Sequence, residues 1–406
     1  MAKTKTVILI GDGMGDLPIG ELGDRTPLEY VDTPAMDFVA THGELALLKT
    51  VPDGFPPGSD VANLSLLGYR PEEFYTGRSP LEAASMGVEL GPRDLAFRCN
   101  LVTLDHAADG QVTMVDYSGG HISTPDAHQL INALAQQLNN DHLHFYPGVS
   151  YRHLLVVEDG PDDYVAEPPH DYTGKPVSEL WHNMLASPMG ETMQKACDIL
   201  ASHPLNLQRQ ANGEKPANAI WLWGQGKAPL MPTLKERYGI TGSLISAVDL
   251  LKGIGAYAGL RIINVTGATG YIDTNYAGKV AAALQAIVAE ELVVIHVEAP
   301  DEAGHQGSRA DKLKAIADFD REVVKPILAG LQNGPPFRLV VAMDHFTPLE
   351  TRTHNSMPVP IAIYDSQQAT INSGLAYTEK NAIKTGMLYA SGQDFFNRLM
   401  GPQGNE

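Results

Sequence analysis

Cysteine is almost absent from this chain: Cys99 and Cys197 are the only two in 406 residues. That excludes a disulfide framework and a cysteine-built zinc site. Long apolar stretches are missing too. Runs such as Leu292 to Val297 have the length of a strand, far short of the roughly 20 residues a membrane helix needs. Met1 to Lys5 lead straight into a strand and carry no signal-peptide pattern, so a cytoplasmic protein is the expectation. Positive charge is in deficit, with 29 Lys and Arg against 48 Asp and Glu and a net charge of −19. Such a balance argues against nucleic acid or an anionic membrane as partner. Neither G-x-S-x-G nor G-x-x-x-x-G-K-[ST] occurs, so there is no nucleophile elbow and no P-loop.

What is present is a globular composition, 43% hydrophobic and 19% charged, in a chain long enough for two domains. Thr6 to Ile10 read as a buried strand that runs into Gly11-Asp12-Gly13-Met14-Gly15. A helix follows Thr33, with Pro34 at its first position and Gly43 past its end. Another covers Val61 to Leu67 and stops at Gly68, and Leu95–Leu104 with Gln111–Tyr117 form a hairpin around Asp109-Gly110. The texture changes near Gly119. A helix from Thr124 to about Asn140 and strands His142–Tyr146 and Tyr151–Glu158 precede a polar, Pro-rich stretch, Gly160 to Pro188. Ala201 to Pro216 read as a return linker. Alternation then resumes with strand Ala219–Trp223, helix Tyr276–Glu290, strand Leu292–Val297, a helix over Arg309–Leu331 and strands Arg338–Met343 and Val359–Tyr364. The expectation is a mainly parallel α/β core, residues 1–118 and 217–406, sandwiched by helices and split by a smaller inserted α/β domain, 119–216. No internal repeat is visible.

In such a sheet, functional groups gather past the carboxyl ends of strands. Asp12, Asp301 and Asp344 all stand there, and His305, His345 and His354 lie within the same short segments. Singly, each aspartate could cap a helix and each histidine could sit idle in a loop. Together, Asp301-x-x-x-His305 and adjacent Asp344-His345 are a first shell suited to two divalent cations. Cations held this way would also let an acidic protein bind phosphate esters. Ser59, in Pro57-Gly58-Ser59-Asp60, is the nucleophile candidate at the start of a helix, where N–H groups and the dipole favour an anion. A plain serine N-cap is the competing reading.

Asp12-Gly13-Met14-Gly15-Asp16 and Pro57-Gly58-Ser59-Asp60-Val61-Ala62-Asn63 resemble the first two motifs of cofactor-independent phosphoglycerate mutases, members of the alkaline phosphatase superfamily. Tyr75 to Ala83 is similar to the stretch after the nucleophile in the archaeal-type branch of that family. Ala299 to His305, Asp344 to Pro348, His354 and Pro358-Val359-Pro360 match the C-terminal metal motifs. The resemblance implies an alkaline-phosphatase-like core and two divalent ions, manganese first, with zinc or cobalt as other fits. It implies Asp12, Ser59, Asp344 and His345 around one ion and Asp301, His305 and His354 around the other. A small phosphorylated substrate follows: Ser59 would take the phosphoryl group of 3-phosphoglycerate and return it to the other hydroxyl, under an inserted domain acting as a lid. Asn63, His121 and Arg152 would touch substrate, with a hinge-loop role the alternative for His121 and a surface cation for Arg152. Arg78 and Lys252 are weaker candidates of the same kind.

One departure stands out. Between Gly119 and Ala219 the only arginines are Arg152 and Arg209, few for a domain that grips an acid and a phosphate. Ser59 to Ser65 and Trp221 to Gly226 also resemble a bacterial offshoot proposed to act as homoserine kinases. A phosphohydrolase and a non-catalytic binding protein are further readings, the last expecting a lost ligand or nucleophile. The oligomeric state is not legible.

Overall fold

The strand expected at Thr6–Ile10 lies at the middle of a sheet in a computed structural model that describes residues 4–161, 163–368 and 371–401. The chain divides into two compact units, residues 1–75 with 230–406, and residues 76–229.

Among the described residues, the first unit holds eight strands, numbered in chain order. They lie in the order Leu388–Tyr389 (β13), Glu44–Leu48 (β2), Val359–Asp365 (β12), Phe337–Ala342 (β11), Lys5–Gly11 (β1), Leu292–Val297 (β10), Gly242–Ile245 (β8) and Arg261–Ile262 (β9). From β11 to β9 every pairing is parallel; only β12 runs against its neighbours. β1 and β10 are buried along nearly their whole length, as central strands covered on both faces must be. The register aligns Ile10 with both Ala342 and His296, so β11, β1 and β10 end at one level.

Several local expectations change. Gly58 is the N-cap of the helix Ser59–Leu66, so the helix begins at Ser59 rather than Val61, and Ser59 is its first helical residue rather than its cap. The expected helix over 309–331 is one path with a π-turn at Phe319–Val324 between α segments Arg309–Asp318 and Lys325–Leu331. Pro326, which has no N–H to donate, follows the wider turn. The π-turn presents Asp320, whose carboxylate accepts from the N–H groups of Ala35 and Met36 and caps the helix Pro34–Thr41.

The second unit is larger than the expected 119–216 insert. Its sheet is antiparallel and built on the long strand Asp94–His106 (β3), which pairs with Val112–Asp116 (β4), Arg152–Glu158 (β6) and Ala219–Lys227 (β7); Leu143–Val149 (β5) pairs with β6. Because β3 hydrogen-bonds to β6, inside the expected insert, and to β4 and β7, which flank it, β3 folds with them. The supposed linker is helical, Gly190–Ser202 followed by Pro204–Ala211, and the Pro-rich stretch contains the helix Ser178–Ala186. Phe97, Cys99 and Leu101 on one face of β3 join Leu130, Trp181 and Met193 in a single core. Ala96, on the other face, packs with Ala83, Leu154 and Val156.

Two loops of the first unit are tied by a buried lysine. Lys312, 0% exposed, donates to the carbonyls of Gly15 (3.1 Å) and Thr347 (2.7 Å) and to Asp16 Oδ2 (2.9 Å). Removing the cation leaves a buried carboxylate uncompensated, so Lys312→Ala is expected to cost about 3–5 kcal/mol. Urea unfolding checks this; an unmoved midpoint would contradict the tie.

Candidate metal centre

Because β11, β1 and β10 end together, Asp344, Asp12 and Asp301 are brought side by side from segments far apart in sequence. Asp12 follows β1 directly, Asp344 follows β11 after Met343, and Asp301 sits in the first turn of the helix Ala299–Gln306. All three are buried. Gly13, at φ +59°, is required here: a Cβ would stand 2.6 Å from Asp301 Oδ1 and from Thr347 Oγ1.

The expected residues fall into two neighbouring groups. In one, His305 Nε2 lies 3.2 Å from Asp301 Oδ2, His354 Nε2 lies 3.4 Å from Asp301 Oδ1, and the two Nε2 atoms are 2.9 Å apart. His305 Nδ1 lies 3.0 Å from the Arg352 carbonyl; an Nδ1–H there leaves Nε2 as a lone-pair donor for a cation. Arg352 sits at φ 55° to present that carbonyl. In the other group, His345 Nε2 is 3.5 Å from Asp12 Oδ1, 3.4 Å from Asp344 Oδ2 and 3.1 Å from Ser59 Oγ. Asp301, His305 and His354 offer ligand atoms within 4.8 Å of one another, as do Asp12, Asp301 and His345.

A third such set, Asp12, His296 and Asp344, contains a residue the sequence reading missed. His296 is the lone polar side chain in the buried strand β10. Its Nε2 lies 3.0 Å from Asp12 Oδ2 and its Nδ1 3.3 Å from Ser246 Oγ. A histidine interrupting an apolar run was the available signal. Thr347 was missed as well: its hydroxyl donates to Asp301 Oδ1 and lies 3.2 Å from His345 Nδ1. Thr50 Oγ1 donates to the Asp344 carbonyl at 2.6 Å, and Ser65 Oγ to the Thr50 carbonyl at 2.6 Å, joining the Ser59 helix to the Asp344 loop.

Asn63 is beside Ser59 as expected, but its amide nitrogen is engaged, donating to Asp344 Oδ2 (2.9 Å) and to the Ser59 carbonyl (2.8 Å). His121 and Arg152 belong to the second unit. His121 is exposed at φ 51° after β4, and Arg152 is exposed at the first position of β6. Arg78 also lies in the second unit; Lys252, in the first, is 3.2 Å from Asp249.

The electrostatics describe a cation-hungry site. Burial, then the carboxylates of Asp344 and Asp301, push Asp12 well above the ordinary range. Burial, then Glu302 and Asp301, push Glu298 up to about 8. Burial drives His296 down to about 3 and keeps His345 below the usual imidazole value. Asp301 is held low by His305 and His354 against its burial, and the same contact lifts His305 to about 9. Asp12 Oδ1 is buried without a hydrogen-bond partner. An orphaned carboxylate oxygen facing imidazole nitrogens fits a divalent cation.

A parallel-stranded α/β core with clustered carboxylates and histidines beside a helix-borne serine defines the class of metal-assisted phosphoryl-transfer proteins. A sequence profile described as 2,3-bisphosphoglycerate-independent phosphoglycerate mutase matches residues 40–206. The protein of that name from Methanosarcina barkeri is 49% identical over 98% of this chain and 99% of its own length. A probable one from Geobacter sulfurreducens is 51% identical over 96% and 97%. Among solved structures, a Pyrococcus horikoshii protein superposes with a TM-score of 0.79 at 30% identity, covering 98% of this chain and 97% of its own. A cofactor-independent phosphoglycerate mutase from Thermoplasma acidophilum gives 0.66 at 26% identity, covering 98% and 100%. The chain belongs to the 2,3-bisphosphoglycerate-independent phosphoglycerate mutase family.

The pKa shifts set a sign for stability in metal-free protein. Glu298, raised from 4.5 to about 8, and His305, raised from 6.5 to about 9, each hold protons in the folded state that the unfolded chain releases. Stability is therefore lost as pH rises, most steeply where the windows overlap, 6.5 to 8. Melting temperature in chelator should fall between about pH 6 and pH 9, and added manganese should flatten the slope. A melting temperature that rises with pH would contradict this.

Proposed function

We propose that the protein interconverts 3-phosphoglycerate and 2-phosphoglycerate through a phosphoserine on Ser59, without 2,3-bisphosphoglycerate as cofactor. The observation that carries this is Ser59 Oγ, 3.1 Å from His345 Nε2, next to three buried carboxylates in a chain 49% identical, nearly end to end, to a mutase of that name. Asp12, Ser59, Asp344 and His345 would hold one divalent ion, and Asp301, His305 and His354 a second. Manganese is the ion proposed; zinc or cobalt would also suit this mixed nitrogen and oxygen set. Bound cations would lower the pKa of the serine hydroxyl and neutralise phosphate charge.

The chain's own groups then divide the work. Helix 59–66 aims Ser59 from its first turn, where free N–H groups favour an incoming phosphate. Asn63 fixes Asp344 and the Ser59 carbonyl, holding nucleophile and carboxylate in register. Ser59 Oγ bonds to phosphorus as the bond to the substrate's 3-oxygen breaks, and the departing oxygen gains the proton that the serine loses. Glycerate re-orients; its 2-oxygen then attacks the phosphoserine, and the proton returns to Ser59. Water must be kept out while the phosphoserine exists, and the inserted unit is assigned that lid role. With no helix among the described residues long and apolar enough to cross a membrane, and with both cysteines unpaired, action in the cytoplasm is proposed.

Manganese-loaded protein given 3-phosphoglycerate in an enolase-coupled assay should turn over, and Ser59→Ala should lower the rate by more than about a thousandfold. Phosphorylation of homoserine from a nucleotide, with no turnover of 3-phosphoglycerate, would overturn the mutase assignment. Release of phosphate to water would do the same.

A further inference from the structure

We propose that Ser246 and His296 are positioning residues for the metal centre: a Ser246–His296–Asp12 relay turns Asp12 Oδ1 toward a cation, and His296 itself binds none. The proposal rests on the two-cation reading of the site, in which Asp12 is a ligand.

The sheet register builds the relay. Ile245 of β8 pairs with Ile295 of β10, so Ser246 and His296 follow as neighbours. His296 pairs in turn with Ile10 of β1, two residues before Asp12. The Lys279 ammonium donates to the His296 carbonyl at 2.9 Å and holds that point of β10. Ser246, His296 and Asp12 are 3%, 0% and 1% exposed, so solvent does not stand in for a lost partner.

Donor and acceptor directions follow from the contacts. Ser246 Oγ accepts from the Val248 N–H at 2.9 Å, and its other partner among the described residues is His296 Nδ1, 3.3 Å away. A buried hydroxyl needs an acceptor for its proton. Nδ1 supplies one only when the ring proton is on Nε2. That proton then points at Asp12 Oδ2, 3.0 Å away, a charge-assisted bond once the carboxylate is ionised. Hydrogen bonds of this kind fix the orientation of a ligand carboxylate. With Oδ2 so held, the partnerless Oδ1, 3.5 Å from His345 Nε2, is the oxygen left for a cation. The same geometry decides how the grouping of Asp12, His296 and Asp344 is used. A cation there would need the Nε2 lone pair, and a proton moved to Nδ1 would leave the Ser246 hydroxyl without an acceptor.

Two measurements test the relay. Ring-nitrogen NMR of histidine-labelled protein loaded with zinc, which has no unpaired electrons, reads the tautomer. The His296 resonances are identified by their shift in Ser246→Ala. A protonated Nε2 with a bare Nδ1 is expected, and the reverse would overturn the relay. Equilibrium dialysis against manganese then compares His296→Gln, whose amide can donate from the Nε2 position, with His296→Leu, of similar size and without a donor. His296→Gln should bind two ions with affinities within about threefold of wild type, whereas His296→Leu should hold one of the two about tenfold or more weakly. Equal affinities in the two variants, or a third wild-type ion that both variants lose, would contradict the proposal. The tautomer decides the matter even if the variants at His296 misfold. Fewer than two ions on the wild type would remove the metal reading and the relay with it; two ions and indifferent variants would remove the relay alone.

Discussion

Three carboxylates, Asp12, Asp301 and Asp344, are held against one another in the interior past the ends of β1, β10 and β11, and their repulsion shapes everything around them. Side chains that would separate in water are fixed there by the parallel register, which ends three strands at one level. Burial and the neighbouring charges lift Asp12, and imidazoles gather around Asp301. Divalent cations relieve that repulsion directly, whereas hydrogen bonds alone leave Asp12 Oδ1 unsatisfied.

Much of the remaining first unit supports this arrangement. Lys312 joins the Gly15–Asp16 loop to Thr347, and Thr347 reaches both Asp301 and His345. Thr50 ties the Asp344 loop to the Ser59 helix through Ser65. The nucleophile's helix and the carboxylate loops are therefore tied by hydrogen bonds, which favours in-line chemistry at a fixed centre. His296 extends the support inward, connecting Asp12 to Ser246 across the sheet.

The ligand set was readable because its residues follow strands in short motifs, such as Asp301 four residues before His305 and Asp344 next to His345. The parallel core was readable from apolar strands alternating with helices. What escaped depended on tertiary pairing. β3 reads as half of a local hairpin, and only its bonding to β6 and β7 shows that it belongs with the insert. The helix Pro204–Ala211 was hidden by a polar sequence that gains stability from packing rather than propensity. His296 was masked because an apolar strand reads as core.

The central claim is that the buried carboxylates hold two cations beside Ser59. Equilibrium dialysis of manganese against the purified chain tests it most directly. The account predicts two ions per wild-type chain and one in His354→Ala, which loses a ligand from one group only. Fewer than two ions in the wild type, or an undiminished two in His354→Ala, would contradict it.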